Sequence, residues 1–414
     1  MNRRVFLGSA MAGAALAQDR KLRLGLIGAG WFGMVDVNAA FKAGGVEVVI
    51  IADADTQHGD EAAAAVEKLQ GTRPKTTKDY REVIATPGLD AVIIATPPHW
   101  HALPFIEACT KGLPIYCEKP LAYDIREGRA MANAAKKAGN LVQIGFQRRT
   151  SDAYQQVRDY LRSGAAGRVV QVDVQIHYHA ALLDNKAQDP PSTLDWELWC
   201  GPAPKLPYSP QVGHKSWRLE EAYGNGHLVD WGIHLIDATR MMMGLDMPRW
   251  VEAVGGIYEY KGRITTPDTL TAHFEFEQCP VVWRHRLWGS AEYTSDTNNG
   301  ITFFGDKETV FVTDNRWVVI PRKRGEERKL TEVKGDLSER SVAAWLNAIR
   351  TKSAVVCPIE EAFQSTATVQ LGMAAYKTGR RLEWDAKTEK VTNDAGANQR
   401  LLRPYRAPYK HPYA

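Results

Sequence analysis

The sequence predicts an α/β domain on a doubly wound parallel sheet, followed by an α+β domain in which a mostly antiparallel β-sheet is backed by helices. Three observations predict it. Between residues 21 and 146, short apolar runs without alternation are separated by helix-length segments, the pattern of strands covered on both faces. After Gln147 the period changes: Val170, Val172, Val174, Ile176 and Tyr178 alternate with polar residues, as a strand with one packed face requires. The 414 residues, 44% hydrophobic and 24% charged, are enough for two or three domains.

In order along the chain, residues 1–17 carry Arg3-Arg4, a weakly apolar Gly/Ala stretch and a small-residue exit at Ala15-Leu16-Ala17. This is the layout of a twin-arginine (Tat) signal, and it predicts a periplasmic or secreted protein exported in the folded state. The first domain spans 18–146, with strands at 22–27, 46–53, 90–96, 114–118 and 141–146. Helices fall at 56–69, 100–111 and 124–138, the last opened by Asp124 three residues before Glu127. The second domain, 147–385, begins with a helix at 152–163 stopped by Gly164. Strands at 170–178, 271–277, 281–288, 301–304, 309–312 and 317–320 follow, then helices at 339–351 and 359–379. Residues 386–414, rich in Pro and Tyr, read either as an unstructured tail or as an arm lying on another subunit.

Composition excludes several function classes. Lys plus Arg total 52 against 48 acids, and with a net charge of +4 and no dense basic stripe, nucleic acid is not an expected partner. No run approaches the roughly 20 apolar residues of a bilayer-spanning helix. Cys109, Cys117, Cys200, Cys279 and Cys357 are odd in number with no C-x-x-C pair, so they read as buried hydrophobes rather than a disulfide framework or zinc ribbon.

The residues that carry chemistry lie in three places. Gly28-Ala29-Gly30-Trp31-Phe32-Gly33 follows a strand and opens a helix. Gly28 permits the tight turn, Gly30 lets backbone approach a pyrophosphate, and Gly33 lets helix and strand pack closely. Asp53 ends the next strand, 20 residues beyond Gly33, where a carboxylate accepts from a ribose and repels a 2′-phosphate; NAD is therefore expected over NADP. Thr96-Pro97-Pro98-His99-Trp100-His101 and Glu118-Lys119-Pro120 each end a strand, the end at which open α/β sheets bind ligands. Lys119 there is either a tunable proton donor or one half of an ion pair with Glu118 or a neighbour. Finally, His227, Asp230, His234 and Asp237 recur at spacings of three, four and three, so on a regular helix they share a face. That stripe reads as a carboxylate and imidazole pair for proton transfer, with a metal site and a structural network as the alternatives.

Through GAGWFG, ATPPHWH, CEKPLA, GFQRR (145–149), LDWELWCGPAP (194–204) and GHLVDWGIHLID (226–237), the chain resembles the Gfo/Idh/MocA oxidoreductases, the glucose-fructose oxidoreductase and inositol dehydrogenase family, from residue 21 to about 385. The resemblance implies a Rossmann domain, a homo-oligomer, and an NAD-dependent hydride transfer at a secondary hydroxyl or carbonyl of a sugar, glycoside or cyclitol. It places Lys119, Asp230 and His234 at catalytic positions. Gly28, Gly30, Trp31, Phe32, Gly33, Asp53, Thr96, Pro97, His101, Glu118, Lys119 and Gln147 line the cofactor, and a cis peptide precedes Pro120. His234 would take the hydroxyl proton, Lys119 would hold the developing alkoxide, and Asp230 would orient the pair.

Arg148, His179, Trp217 and Arg218 are candidates for the polyol pocket, and no resident metal is expected. Two other readings share the scaffold. One is a glycosidase that oxidises its sugar only transiently, a branch with Tyr-Pro-Thr-His where this chain has Asp230-Trp231-Gly232-Ile233-His234. The other is a non-catalytic sugar-binding protein with a structural nucleotide. An exported dehydrogenase has no soluble nicotinamide pool to draw on, so its NAD is expected to be held tightly.

Overall fold

A computed structural model describes residues 20–290, 292 and 297–413; the export-signal reading of 1–17 falls outside them. The first domain runs β1 (Leu22–Ile27), α1 (Trp31–Ala43), β2 (Val46–Ala52), α2 (Thr56–Gln70), β3 (Lys75–Thr77), α3 (Tyr80–Ile84), β4 (Ala91–Ile94), α4 (Pro98–Thr110), β5 (Ile115–Cys117), α5 (Ile125–Ala138) and β6 (Val142–Ile144). The strands pair in parallel in the order β3-β2-β1-β4-β5-β6. The order reverses between β1 and β4, so the crevice beyond their carboxyl ends is the switch point at which such sheets bind ligands. Leu24, Leu26, Val48 and Ile51 pack on one face of this sheet; Ile27, Val92, Ile94, Ile115 and Cys117 pack on the other. Capping is visible in the sequence: Asp124 accepts from the Glu127 amide at the start of α5, as the capping-box spacing predicts.

The second domain opens with α6 (Asp152–Arg162) and β7 (Val169–His177). After a long crossing segment containing α7 (Trp196–Cys200) come α8 (Ile233–Met243), β8 (Trp250–Gly256), β9 (Thr269–Glu275), β10 (Pro280–Arg286), β11 (Asn299–Gly305), β12 (Glu308–Val312), β13 (Arg316–Pro321) and β14 (Lys329–Glu332). Helices α9 (Leu337–Thr351) and α10 (Ile359–Thr378), strands β15 (Leu382–Asp385) and β16 (Lys390–Val391), and α11 (Ala395–Gln399) complete it. The sheet order is β14-β13-β12-β11-β7-β10-β9-β8-β15-β16, antiparallel except where β7 meets β10. Val172, Val174, Ile176, Phe274, Trp283 and Phe303 turn inward into one apolar cluster with Leu235 and Ile236 of α8 and Leu371 of α10. The opposite face is open and leaves Val254 and Phe304 exposed beside the Asp173–Arg284 ion pair.

Two features cross between the domains. Helix α9 returns to the first sheet, where Val342, Trp345 and Leu346 join the cluster of Leu24 and Val48. Of residues 386–414, read from the sequence as an unstructured tail or an arm lying on another subunit, the described residues 386–413 pack against their own chain. Arg403 donates from Nε to Glu127 Oε1 at 2.8 Å and from Nη2 to the His99 carbonyl at 2.8 Å, while His411 Nε2 lies 3.1 Å from Asp124 Oδ2. Glu127 is fully buried, so this guanidinium is what its charge requires.

Candidate active site

The glycine loop between β1 and α1 shows why each glycine is there. Gly28 has φ +93°, and a Cβ on it would stand 2.6 Å from the Thr96 amide; a Cβ on Gly33 would run into the Gly28 carbonyl. Around Gly30 there is open space, the cradle a pyrophosphate needs beside the N-terminus of α1. Trp31 projects outward, 74% exposed, with Phe32 edge-on to it at 5.5 Å. Asp53 lies one residue past β2, and its two oxygens accept from the amides of Ala29 at 2.7 Å and Asp55 at 2.8 Å. The carboxylate is thus fixed between the glycine loop and the end of β2. Burial raises its pKa, and those same two amides oppose the rise. These residues fit a dinucleotide.

The loops after β4 and β5 form the other wall. His101, fully buried, places its ring nitrogens 2.7 Å from the Thr96 carbonyl and 2.8 Å from the Pro120 carbonyl, so it brackets the two loops together. Thr96 Oγ1 is buried without a partner beside Pro97. The Lys119–Pro120 peptide is cis, as the family resemblance implied. Glu118 accepts from Gln147 Nε2 at 2.8 Å, and burial pushes its pKa up to about 7 against the opposing pull of Lys119. Asp36, one turn into α1 from Gly33, is buried with both oxygens unpartnered; burial and then Glu118 raise its pKa well above the usual range. The sequence reading missed Asp36, although an acid on the packed side of that helix was a legible signal.

Lys119 is directed at Asp230 rather than Glu118. Its Nζ donates to the Asp230 carbonyl at 2.8 Å and to Oδ1 at 2.9 Å. Arg218 donates from Nε to the same carboxylate at 3.2 Å and lays its guanidinium 4.3 Å from the centre of the Trp217 ring. Burial alone would raise the Asp230 pKa, but Lys119 and Arg218 outweigh it and hold the group at about 2, ionised. His234 is the reverse case: burial first, then Lys119 and Arg148, press its pKa well below the ordinary value. It is a neutral imidazole whose buried Nδ1 has no partner.

The stripe expected on one helix face does not form. Residues Leu228–Gly232 wind as a π-helical turn before α8 begins, which breaks the regular 3.6-residue period. Three of the four, His227, Asp230 and His234, stay within reach of the Lys119 charge, and Asp237 leaves them. Asp237 is gripped by Arg149 at 2.7 and 2.8 Å and by Ser365 at 2.7 Å, outside the Lys119 cluster. His227 stacks on Tyr178 and lies 5.2 Å from the His285 ring.

The polyol candidates also separate. Trp217 and Arg218 adjoin Asp230, and Arg148 sits near enough to influence His234. The Nε and Nη2 of Arg148, however, are taken by Asp314, each at 2.7 Å. His179 is exposed, with Nδ1 3.4 Å from the Gly289 carbonyl, and the structure shows no contact between it and this cluster. No spacing in the chain announces Asp314, which lies 166 residues from Arg148.

With this geometry in place, comparison with known proteins is decisive. The model of the GFO_IDH_MocA oxidoreductase family's NAD-binding Rossmann fold matches residues 22–146, and that of the family's C-terminal alpha/beta domain matches 158–384. The chain belongs to the Gfo/Idh/MocA oxidoreductase family. Its first domain is therefore an NAD-binding Rossmann domain. Among relatives, the rhizopine catabolism protein MocA of Rhizobium meliloti is 31% identical over 224 residues, 54% of this chain and 58% of that protein. Levoglucosan dehydrogenase of Pseudarthrobacter phenanthrenivorans is 30% identical over 234 residues, 54% and 52% of the two chains. These matches span about half the length of the curated relatives. Among solved structures, levoglucosan dehydrogenase in complex with NADH and levoglucosan shares the fold at a TM-score of 0.70 and 20% identity, covering 88% of this chain and 99% of that one. An Agrobacterium radiobacter oxidoreductase in complex with NAD+, L-tartaric acid and magnesium does so at 0.69 and 17%, covering 88% and 98%.

Proposed function

We propose that this Gfo/Idh/MocA protein is an NAD-dependent oxidoreductase acting on a secondary hydroxyl, or the corresponding carbonyl, of a sugar, glycoside or cyclitol. The observation that carries the proposal is the juxtaposition of an ammonium, an ionised carboxylate and a neutral imidazole with an unfilled nitrogen, contributed by both domains beyond the carboxyl end of β5. Relatives named as dehydrogenases of levoglucosan and inositol, and as a reductase of 1,5-anhydro-D-fructose, support a polyhydroxylated ring as the substrate class.

The backbone of Gly28, Gly30 and Gly33 and the N-terminus of α1 would hold the pyrophosphate, and Asp53 the ribose. Thr96, Pro97, Glu118 and Gln147 would line the rest. NAD bound there supplies the hydride acceptor, or as NADH the donor. His234, kept neutral by its surroundings, accepts the hydroxyl proton at an imidazole nitrogen or returns it in the reverse direction. Lys119 donates a hydrogen bond to the oxygen on which negative charge develops. Asp230 stays ionised and holds that ammonium in place, while Arg218 fixes the carboxylate from its other side. Removing Lys119 or His234 takes away a proton-handling group, an effect of about 10²–10⁴ in rate.

The crossing segment supports a tightly held cofactor. It lies against the β2–α2 corner beside Asp53 through Thr56 N to Thr193 O and Asp195 N to Ala54 O, both 3.0 Å, and Trp100 Nε1 donates to the Leu198 carbonyl at 3.0 Å. A segment packed on that corner would slow escape of a dinucleotide whose ribose Asp53 holds. The twin-arginine start supports a periplasmic or secreted enzyme, and the open sheet face supports a homo-oligomer. The test is isotopic. Substrates carrying deuterium on the carbinol carbon, drawn from sugars and cyclitols, should transfer the label to the nucleotide, read by mass spectrometry. Unlabelled nucleotide after turnover of substrate to product would refute the reading.

A further inference from the structure

We propose that Asp55, His58 and His214 form a binding site for one zinc-like divalent metal ion, which staples the crossing segment to the β2–α2 corner of the Rossmann domain. Asp55 and His58 flank the start of α2; His214 arrives from the other domain, 159 residues later in sequence than Asp55. Asp55 Oδ2 and His214 Nε2 are 3.0 Å apart, the His58 and His214 rings face each other at 4.4 Å, and the three donor atoms lie within 4.8 Å of one another. Zinc bonds of about 2.0–2.2 Å put neighbouring donors of a tetrahedral site about 3.3 Å apart, so rotation of two partly exposed imidazoles closes this set onto one ion.

Electrostatics favours a cation. Among the described residues His58 has no hydrogen-bond partner, and neither Asp53 nor Asp55 has a Lys or Arg ion-pair partner, although both acids interact with both histidines. Two carboxylates beside two imidazoles leave a negative pocket with nitrogen lone pairs. A second cluster with the same spacing, Asp124, Glu127 and His411, lacks this character. There Arg403 donates to Glu127 and, through its amide, to Asp124, so a guanidinium already supplies the positive charge. Imidazole and carboxylate together suit zinc and its neighbours over magnesium or calcium. The sequence concealed this site because no local spacing links positions 55 and 58 to 214. The three ligands lie outside the Lys119 cluster, while Asp53, which adds negative charge beside them, also serves the ribose in the proposed function.

The test uses the untagged full chain as isolated, nucleotide included, stripped with a chelator and titrated with Zn²⁺ by calorimetry and with Co²⁺ by visible absorption. One ion per chain is expected, with a cobalt spectrum of imidazole coordination. His58→Ala and His214→Ala should each weaken binding by at least the roughly 10- to 100-fold that loss of a ligand's supporting partner costs, while His179→Ala, at an exposed position, leaves it intact. His58 lies on the exposed start of a helix, so its variant keeps the fold, verified by circular dichroism. Absence of saturable binding, or binding that survives both histidine variants, overturns the proposal.

Discussion

Two buried charged clusters lie within about two turns of each other along one stretch of chain, and they follow opposite rules. Around Asp237 every charge is answered: Arg149 grips it with two donors, Ser365 adds a third, and Arg240 is satisfied by Ser365, Gln364 and backbone carbonyls. Around Asp230 the charges are also paired, but the neighbouring imidazoles are left incomplete: His234 Nδ1 and His227 Nε2 are buried with no partner. Buried polar atoms are nearly always hydrogen-bonded, so the incomplete cluster is where a ligand is due and the complete one is architecture. Residue type alone does not separate them, since both offer aspartate and a basic partner.

The largest expected effect sharpens that contrast. Lys119→Ala and His234→Asn should each lower turnover by about 10²–10⁴ with nucleotide content near wild type, read by steady-state kinetics; calorimetry should find His234→Asn near the wild-type melting temperature and Lys119→Ala below it, because Asp230 is then left to Arg218 alone. Arg149→Ala should do the opposite. It strands the buried Asp237 charge, and breaking such a pair costs about 3–5 kcal/mol of stability, seen as a lower urea midpoint, with turnover per folded molecule within a few-fold of wild type. If Arg149→Ala abolished turnover without loss of stability, the division between the two clusters would fail.

A smaller effect concerns pH. Glu118 has a folded pKa of about 7, above its ordinary value of 4.5. The folded state therefore binds more protons than the unfolded state between those values. Its contribution to stability is fully present below about 4.5 and is lost as pH rises through about 7. Glu118→Gln should flatten that part of the stability–pH curve in nucleotide-free protein; an unchanged slope would remove Glu118 as its source. The smallest effect is at the exposed His179: His179→Ala should leave kcat and KM unchanged, and a rise in KM would bring it back into the polyol pocket.

What the sequence revealed and what it hid divide on the same line. The glycine loop, Asp53 and the Lys119 loop were legible because their geometry is set within a few residues by strand, turn and helix start. The parallel and antiparallel sheets were legible from the change of period at Gln147. Partner choice across the chain was not. The spacing of His227, Asp230, His234 and Asp237 suggested one face, and the π-turn at Leu228–Gly232 together with Arg149 drew Asp237 away from the other three. Arg148 read as a sugar ligand until Asp314 closed on it, and α9 gave no sign that Trp345 would be buried against the first sheet. The tail read as loose because its anchors, Glu127 and Asp124, lie some 280 residues earlier.

The most direct test of the central claim is optical. Purified protein with its nucleotide in place is mixed with a panel of pyranoses, anhydrosugars and cyclitols, and the near-ultraviolet absorbance of reduced nicotinamide is followed. The account predicts a substrate-dependent change with at least one compound, absent in Lys119→Ala at equal nucleotide content. A protein that carries nucleotide yet shows no change with any polyol or its ketone, in either direction, would contradict it.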